Sequence, residues 1–439
     1  MNSIKPIEEK GRVDRSLYLM WSVAFILLLI VAWPARFYFL NDDLVHIPLA
    51  GANELGHHNS VRYVGDLSLL LDHWLYGKWA PGYHITNLLL HAANAWLLVL
   101  ILRVSASLKH PWLLFYSTIL FTFYGSHSEA VFWIIGRSAT LGFFWLALSY
   151  FLWIKRNSGL FFISTSAICW ALALLSYESV WSIPFWFTII WSYQRHKGQA
   201  ASRVDTLCFW LCWAIFILYL FLRKGVTGAW LGSYEGAAFE HLQVGVLAGN
   251  YARLVLRTIV PPLYDPTIFF SMATILLALL AWMCFSVIRY GKATAIWYYL
   301  VAGWLLSYLP YLSLGISRSS AESERYLYLP SAFFSVLVVY SLYTLWFPLK
   351  KRSFFGVCSL LFIFHCSWMA NAANEYSSCG RLVKETFSAL KGQQPISDIT
   401  FSPLPATVHG IPTLRSGSME GYKWLIDPTA MPRVVVRDT

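Results

Sequence analysis

Charge is what this sequence has least of. Only 13% of its 439 residues are charged, against 57% that are hydrophobic, where ordinary soluble domains carry roughly a quarter charged residues. Most of the chain must therefore be solvated by lipid, and a water-soluble enzyme is excluded. Cysteine is scarce in any useful arrangement. The seven cysteines are scattered, six of them in or beside apolar stretches and Cys379 in the C-terminal tail, with no CxxC pair. That pattern excludes a disulfide framework and a cysteine metal site. Cys208 and Cys212 share a helical face, where they are expected to pack. No basic-aromatic nucleic-acid motif occurs, so no nucleic-acid partner is expected. The two halves lack the internal symmetry of a transporter.

Long apolar runs are plentiful. A spanning helix needs about 20 mostly apolar residues, and such stretches lie near 17–38, 83–102, 111–124, 131–154, 159–176, 179–194, 206–222, 267–288, 295–314, 328–348 and 353–371. The first follows a polar lead and has no small-residue cleavage site before "WPARFYF", so it reads as an uncleaved anchor. Basic residues fall in alternate loops: Arg103 and Lys109; Lys155 and Arg156; Arg195, Lys197 and Arg203; Arg289 and Lys292; Lys350, Lys351 and Arg352. By the positive-inside rule these loops and the N-terminus face the cytoplasm. The net charge of +11 then reflects topology and headgroup contact.

The expected fold class is an all-α polytopic membrane protein of about 11 transmembrane helices. Residues 1–16 are expected as a cytoplasmic N-terminus, 17–371 as the membrane domain and 372–439 as a small extracytoplasmic tail.

The loops opposite the basic ones hold "NDD", "HSEAVFWIIGR", "SYES", "YEGAAFEH" and "SRSSAESERYLYLP". Acids near hydrocarbon usually mark a cavity or pathway, so Asp42, Asp43, Glu129, Glu178 and Glu324 on one face point to a cavity opening away from the cytoplasm. In the first of these loops Leu67, Leu70, Leu71, Trp74 and Leu75 recur at helical spacing among Asp66, Asp72, His73 and Lys78, the pattern of a helix resting in the interface. Six histidines, His46, His57, His58, His73, His84 and His91, crowd the same region. Adjacent histidines cannot readily ligate one ion from a regular element, and no metal site is expected from them.

Four stretches, "WAPGYHITNLLLHAANAWLLVLILR", "HSEAVFWIIGRSATLGFFWLALSYFLW", "SYESVWSIPFW" and "ESERYLYLPSAFF", resemble in the same order the membrane half of the transmembrane and tetratricopeptide-repeat O-mannosyltransferases and their bacterial relatives, within the GT-C group. The resemblance covers roughly residues 30 to 345. It implies a glycosyltransferase of the hexosyltransferase class in a bacterial inner membrane, taking a sugar from a polyprenyl-phosphate carrier to a hydroxyl-bearing acceptor. In that family an Asp-Asp pair follows the first span, where Asp42 and Asp43 stand. The tail departs from the family: residues 372–439 show no 34-residue helical repeat.

The chemistry of such a transfer needs a base for the acceptor hydroxyl and cations for the departing phosphate. Asp42 is the candidate base, with Asp43 shaping the acceptor site. Guanidinium groups match phosphate oxygens bidentately, which makes Arg137, Arg318 and Arg325 the candidate phosphate groups, with Glu129, Glu178, Glu324, His127 and Tyr326 around them. The rival reading of the arginines is ion pairing, Arg137 with Glu129 or Glu178 and Arg325 with Glu322. No cofactor is demanded, although adjacent acids leave room for a divalent cation. A polysaccharide polymerase or ligase, and a transporter, are the alternatives.

Overall fold

The computed structural model describes residues 15–56, 61–104, 108, 110–198, 202–230, 243–347, 349–390, 407–408, 410–414 and 418–426. His57 and His58 lie outside the described residues, as does much of the tail.

The described chain is helical. Its first four helices are α1 (Arg15–Val31), α2 (Asp43–Gly51), α3 (Tyr63–Tyr76) and α4 (Ala80–Val104). Next come α5 (Pro111–Thr122), α6 (Ser128–Phe132), α7 (Arg137–Ile154), α8 (Leu160–Leu174), α9 (Ile183–His196) and α10 (Arg203–Thr227). The remainder are α11 (Val244–Ile259), α12 (Pro266–Arg289), α13 (Ala295–Leu306), α14 (Tyr328–Trp346), α15 (Lys351–Leu390) and α16 (Met419–Leu425). A minimal antiparallel hairpin pairs β1 (Thr407–Val408) with β2 (Ile411–Pro412).

Each of the eleven apolar stretches contains a helix, but not each helix is a full span. Five helical segments are long and apolar enough to cross a membrane, or up to six if the pair Gly125–Phe132 and α7, bent by 103°, forms one span. The shortfall has a local cause. Helices α5, α8 and α13 run into turns at Gly125–His127, Glu178–Ser182 and Leu309–Tyr311, and a helix of a dozen residues rises only about 18 Å. The polar motifs interrupt the helices at one end of the bundle.

Helix α14 sits at the centre, packed on α13 and α5, while α7 packs on α8 and α4. In the window that ends in α14, 72% of residues are buried, against 17% for α12, which leaves α12 at the periphery. Polar residues inside this core are matched to one another. Tyr328 of α14 is met by Nδ1 of His91 at 2.7 Å and by the Asn94 carboxamide at 3.0 Å, both from α4. His46, His73, His84 and His91 fall on three different helices.

The helix expected in the first long loop is present as α3, with its polarity inverted relative to a soluble helix. Leu67, Leu71, Trp74 and Leu75 are exposed, while Asp72 is buried. An exposed apolar face is stable only against lipid or a partner. Helix α15 runs through residue 372, the expected start of the tail, and at 40 residues it extends about 60 Å, roughly twice the hydrocarbon thickness.

If the basic loops are cytoplasmic, single cysteines at Lys197 and Lys351 will label from the cytoplasm, and cysteines at His57 and Ser319 from the opposite side. Labelling of Lys197 and Ser319 from one side would overturn the orientation.

Candidate functional site

The "HSEAVFWIIGR" and "ESERYLYLPSAFF" motifs bind each other residue by residue. His127 Nε2 lies 2.5 Å from the Ser331 hydroxyl, Ser128 donates to Glu324, and Glu129 meets Arg325. The Glu129 carboxylate accepts the Arg325 backbone N–H at 2.8 Å and its guanidinium at 2.5 Å. A glycine is required where this turn enters α7, because a Cβ on Gly136 would stand 2.1 Å from the Glu129 carbonyl oxygen. Glu324 pairs in addition with Arg257 at 2.5 Å, both side chains fully buried.

A cavity of about 220 Å³ opens beside this junction, lined by Leu40, Asn41, Asp42, Glu129, Trp133, Glu322, Ser323, Arg325, Tyr326, Tyr376, Ile411 and Pro412. Two backbone strains meet at its wall. Asn41 (φ 45°) and Ser323 (φ 73°) are two of the three described non-glycine residues with positive φ, a conformation that persists only where the surroundings enforce it and that clusters at functional sites.

The Asp-Asp pair divides into two roles. Asp42 is half-buried at the cavity wall. Asp43 is fully buried and accepts the Leu40 N–H through Oδ2 and the Ile135 N–H through Oδ1, each at 3.0 Å. It ties the loop after α1 to the turn before α7. Burial pushes the Asp43 carboxyl up to about 8, against the two amide donors that favour its charged form. A carboxyl that holds its proton at neutral pH is a poor base there.

The arginines separate in the same way. Arg325 reaches the cavity: its guanidinium is held between the rings of Trp133 and Tyr326, its Nε donates to the Tyr177 hydroxyl at 3.1 Å, and its side chain keeps 15% of its surface exposed. Glu129 is an acidic partner of its guanidinium, and Glu322, the partner in the rival sequence reading, lines the same cavity. Arg137 lies away from the cavity and buried. It pairs with Asp72 at 2.5 Å and donates to the Ser68 hydroxyl and the Tyr83 and Ile134 carbonyls, so its partner is neither Glu129 nor Glu178. Arg318 donates to the Leu263 and Tyr264 carbonyls and bridges two loops.

Glu178, Glu324 and His127 are outside the cavity lining as well. Glu178 is gripped by Arg62 at 2.9 Å, with Arg223 at 3.8 Å. Burial alone would raise the Glu178 carboxyl, yet these two guanidinium groups hold it below its ordinary value. Of the residues expected at the site, Asp42, Glu129, Arg325 and Tyr326 thus share one cavity.

Trp133, Tyr376, Asn41, Ile411 and Pro412 were not singled out by the sequence. Trp133 lies within the "HSEAVFWIIGR" motif, so its spacing could have marked it; the tail residues carry no such signal. Arg257 was missed because its acidic partner is 67 positions away.

The loss from Asp43→Asn is expected to be structural. A carboxamide oxygen can replace one acceptor but its NH₂ cannot replace the other, which leaves one buried amide unsatisfied at about 1–3 kcal/mol. A buried acid with a raised folded value also lowers stability progressively as pH climbs from its ordinary 3.8 to about 8. Thermal unfolding at pH 6 and pH 8 should therefore show a larger drop for the wild type than for Asp43→Asn. Equal drops would remove Asp43 as the group responsible.

No protein-family model matches the sequence, and no curated protein matches it either. Among solved structures the chain is similar to ArnT from Cupriavidus metallidurans bound to undecaprenyl phosphate, with 8% sequence identity and a TM-score of 0.41, over 96% of this chain and 90% of that one. At those values neither residue roles nor a reaction carry over.

Proposed function

We propose that this chain is a membrane glycosyltransferase that moves a sugar from a polyprenyl-phosphate carrier to a hydroxyl acceptor, in a cavity opening away from the cytoplasm. One observation carries the reading: Asp42, Glu129, Arg325 and Tyr326, drawn from three separate sequence motifs, line a single cavity beside two strained backbone positions.

Asp42 is the base. It takes the acceptor's proton as the acceptor oxygen bonds to the anomeric carbon and the bond from that carbon to the phosphate oxygen breaks. The electron pair leaves with the lipid phosphate, and attack from the opposite face inverts the anomeric centre. Arg325 supplies positive charge to the departing phosphate, in the planar geometry that suits phosphate oxygens. Glu129 orients that guanidinium by accepting from it and from the Arg325 backbone N–H, and Trp133, Tyr326 and Tyr376 offer ring faces to the sugar. The cavity is smaller than the roughly 300–1,000 Å³ of typical drug-sized sites, which suits one sugar ring at a time.

The donor class separates this reading from a polymerase or ligase. Among its described residues the lining carries one arginine, matched to Glu129, and no lysine, which favours a monophosphate over a diphosphate donor. Purified protein should transfer label from a polyprenyl-monophosphate sugar. Transfer from the diphosphate-linked sugar alone would favour the polymerase. Arg325→Ala should lower donor kcat/KM about tenfold or more, the worth of a hydrogen bond to a charged group, while Arg352→Ala, beyond reach of the cavity, leaves it unchanged. Equal activity in the two variants removes Arg325 from the site.

A further inference from the structure

The C-terminal segment, expected as a small tail, contributes residues to the cavity. Ile411 and Pro412 of β2 form part of the lining next to Asp42. The Thr413 carbonyl accepts the backbone N–H of Asn41, the strained residue immediately before Asp42, at 2.9 Å. Asn41 itself is 1% exposed, so the turn carrying Asp42 is enclosed from the tail side.

The segment is fastened at both ends by contacts that admit only glycine. Gly410, at φ 78°, would place a Cβ 2.5 Å from the Ser320 side chain, and a Cβ on Gly421 would stand 2.4 Å from that of Leu44, in the first turn of α2. Trp424 of α16 packs edge-on against Phe39 and lies against His73, while Lys78 donates to the Leu425 carbonyl. The Cys379 thiol, on α15, meets the Ile411 carbonyl from behind. Elements from the first outer loop, the Ser317–Ser323 loop and α15 therefore converge on one short piece of tail.

Building on the transferase reading, we infer that the described residues of 407–426 act as a positioning element: Thr413, directly after β2, holds the left-handed turn at Asn41 and so aims the Asp42 carboxylate at the acceptor hydroxyl, and β2 supplies an apolar wall beside that hydroxyl. The wall is uncharged, and beyond the Glu129–Arg325 pair the charged lining residues are Asp42 and Glu322, so the acceptor class it fits presents an uncharged surface next to its hydroxyl.

Two wedges at opposite ends of the element test this in the full-length protein. Gly410→Val pushes the hairpin turn off Ser320, and Gly421→Val pushes α16 off Leu44, while Thr407→Ser, at an exposed position of β1 outside the cavity lining, is the conservative control. Hydrogen exchange of the peptide spanning 39–44 should accelerate in both wedge variants and stay at the wild-type rate in Thr407→Ser. With labelled polyprenyl-monophosphate sugar as donor, kcat should fall about tenfold or more in both wedges, as expected when a catalytic group is misplaced, with donor KM within about twofold of wild type. Unchanged exchange at 39–44 in both wedges overturns the proposal. So does unchanged kcat in active, folded wedge variants, or a parallel rise in donor KM with no change in kcat. A wild-type protein that uses no polyprenyl-phosphate sugar overturns the transferase reading instead, and the exchange result then decides by itself whether the tail holds the turn.

Discussion

Asp42→Asn is expected to lower turnover about 10²-fold or more, the range contributed by a positioned general base, with donor affinity and the yield of folded protein nearly unchanged. The carboxamide keeps the volume of the carboxylate and much of its hydrogen-bonding capacity but cannot accept the acceptor's proton. The geometry separates this loss from that of the neighbouring acid. Asp42 is half-buried at the cavity wall, whereas Asp43 is enclosed and spends both oxygens on backbone amides. Burial raises the Asp43 carboxyl against the two backbone amides that favour its charged form, so Asp43 is the poorer base of the two by its surroundings. The two single variants should therefore fail differently: Asp42→Asn in kcat with stability retained, Asp43→Asn in stability first. Single-turnover rates across pH with a defined acceptor make the comparison. Near-wild-type turnover by Asp42→Asn rejects it as the base.

The largest stability effect is expected at Arg257, where α11 meets the Glu324 turn. Arg257 is fully buried, pairs with Glu324 at 2.5 Å, and donates to the Ser317 and Val260 carbonyls at 3.0 and 2.7 Å. Replacing it with Met preserves much of the aliphatic packing and removes every donor. Glu324 is then a buried carboxylate facing only the Ser128 hydroxyl among its described side-chain partners. Breaking a buried pair from one side destabilises by about 3–5 kcal/mol, enough to deplete the folded protein recovered from membranes. Removing the charge at both ends is milder, because no uncompensated ion remains, so Arg257→Met with Glu324→Gln should recover part of the loss. Thermal unfolding in detergent reads both. A single variant as stable as the wild type would mean that the pair does not hold this junction together.

The functional reach of that junction exceeds stability. Ser128, Glu129, Glu324 and Arg325 interlock two turns, and the second of these pairs presents its guanidinium to the cavity. Damage to the Arg257–Glu324 pair is thus expected to propagate to the Glu129–Arg325 pair, because Arg325 directly follows Glu324 in the same turn.

The apolar stretches could be read directly because lipid imposes a period-independent demand: about 20 apolar residues wherever a helix crosses. All eleven marked positions carry a helix. The polar punctuation between them was legible for the same reason, since an acid or arginine beside hydrocarbon needs a cause. Sequence alone also named four of the residues that line the cavity, Asp42, Glu129, Arg325 and Tyr326. It could not sort the charges into cavity and scaffold. Whether an arginine meets a ligand or a carboxylate depends on which turn lies opposite, and Arg137 found Asp72 from α3, Glu178 found Arg62, and Glu324 found Arg257, each across a wide gap in the chain. Helix lengths escaped for a related reason. Runs that looked like full spans stop early at turns, as α8 does where Glu178 meets Arg62. The tail was the least legible of all: Ile411 and Pro412 look like irregular linker in one dimension, and their place beside Asp42 is set by glycine contacts and a single backbone hydrogen bond to Asn41 that leave no pattern in the sequence. Partition between lipid and water is a property of each segment and is written locally; the pairing of buried polar groups is a property of two segments brought together, and only the tertiary structure decides it.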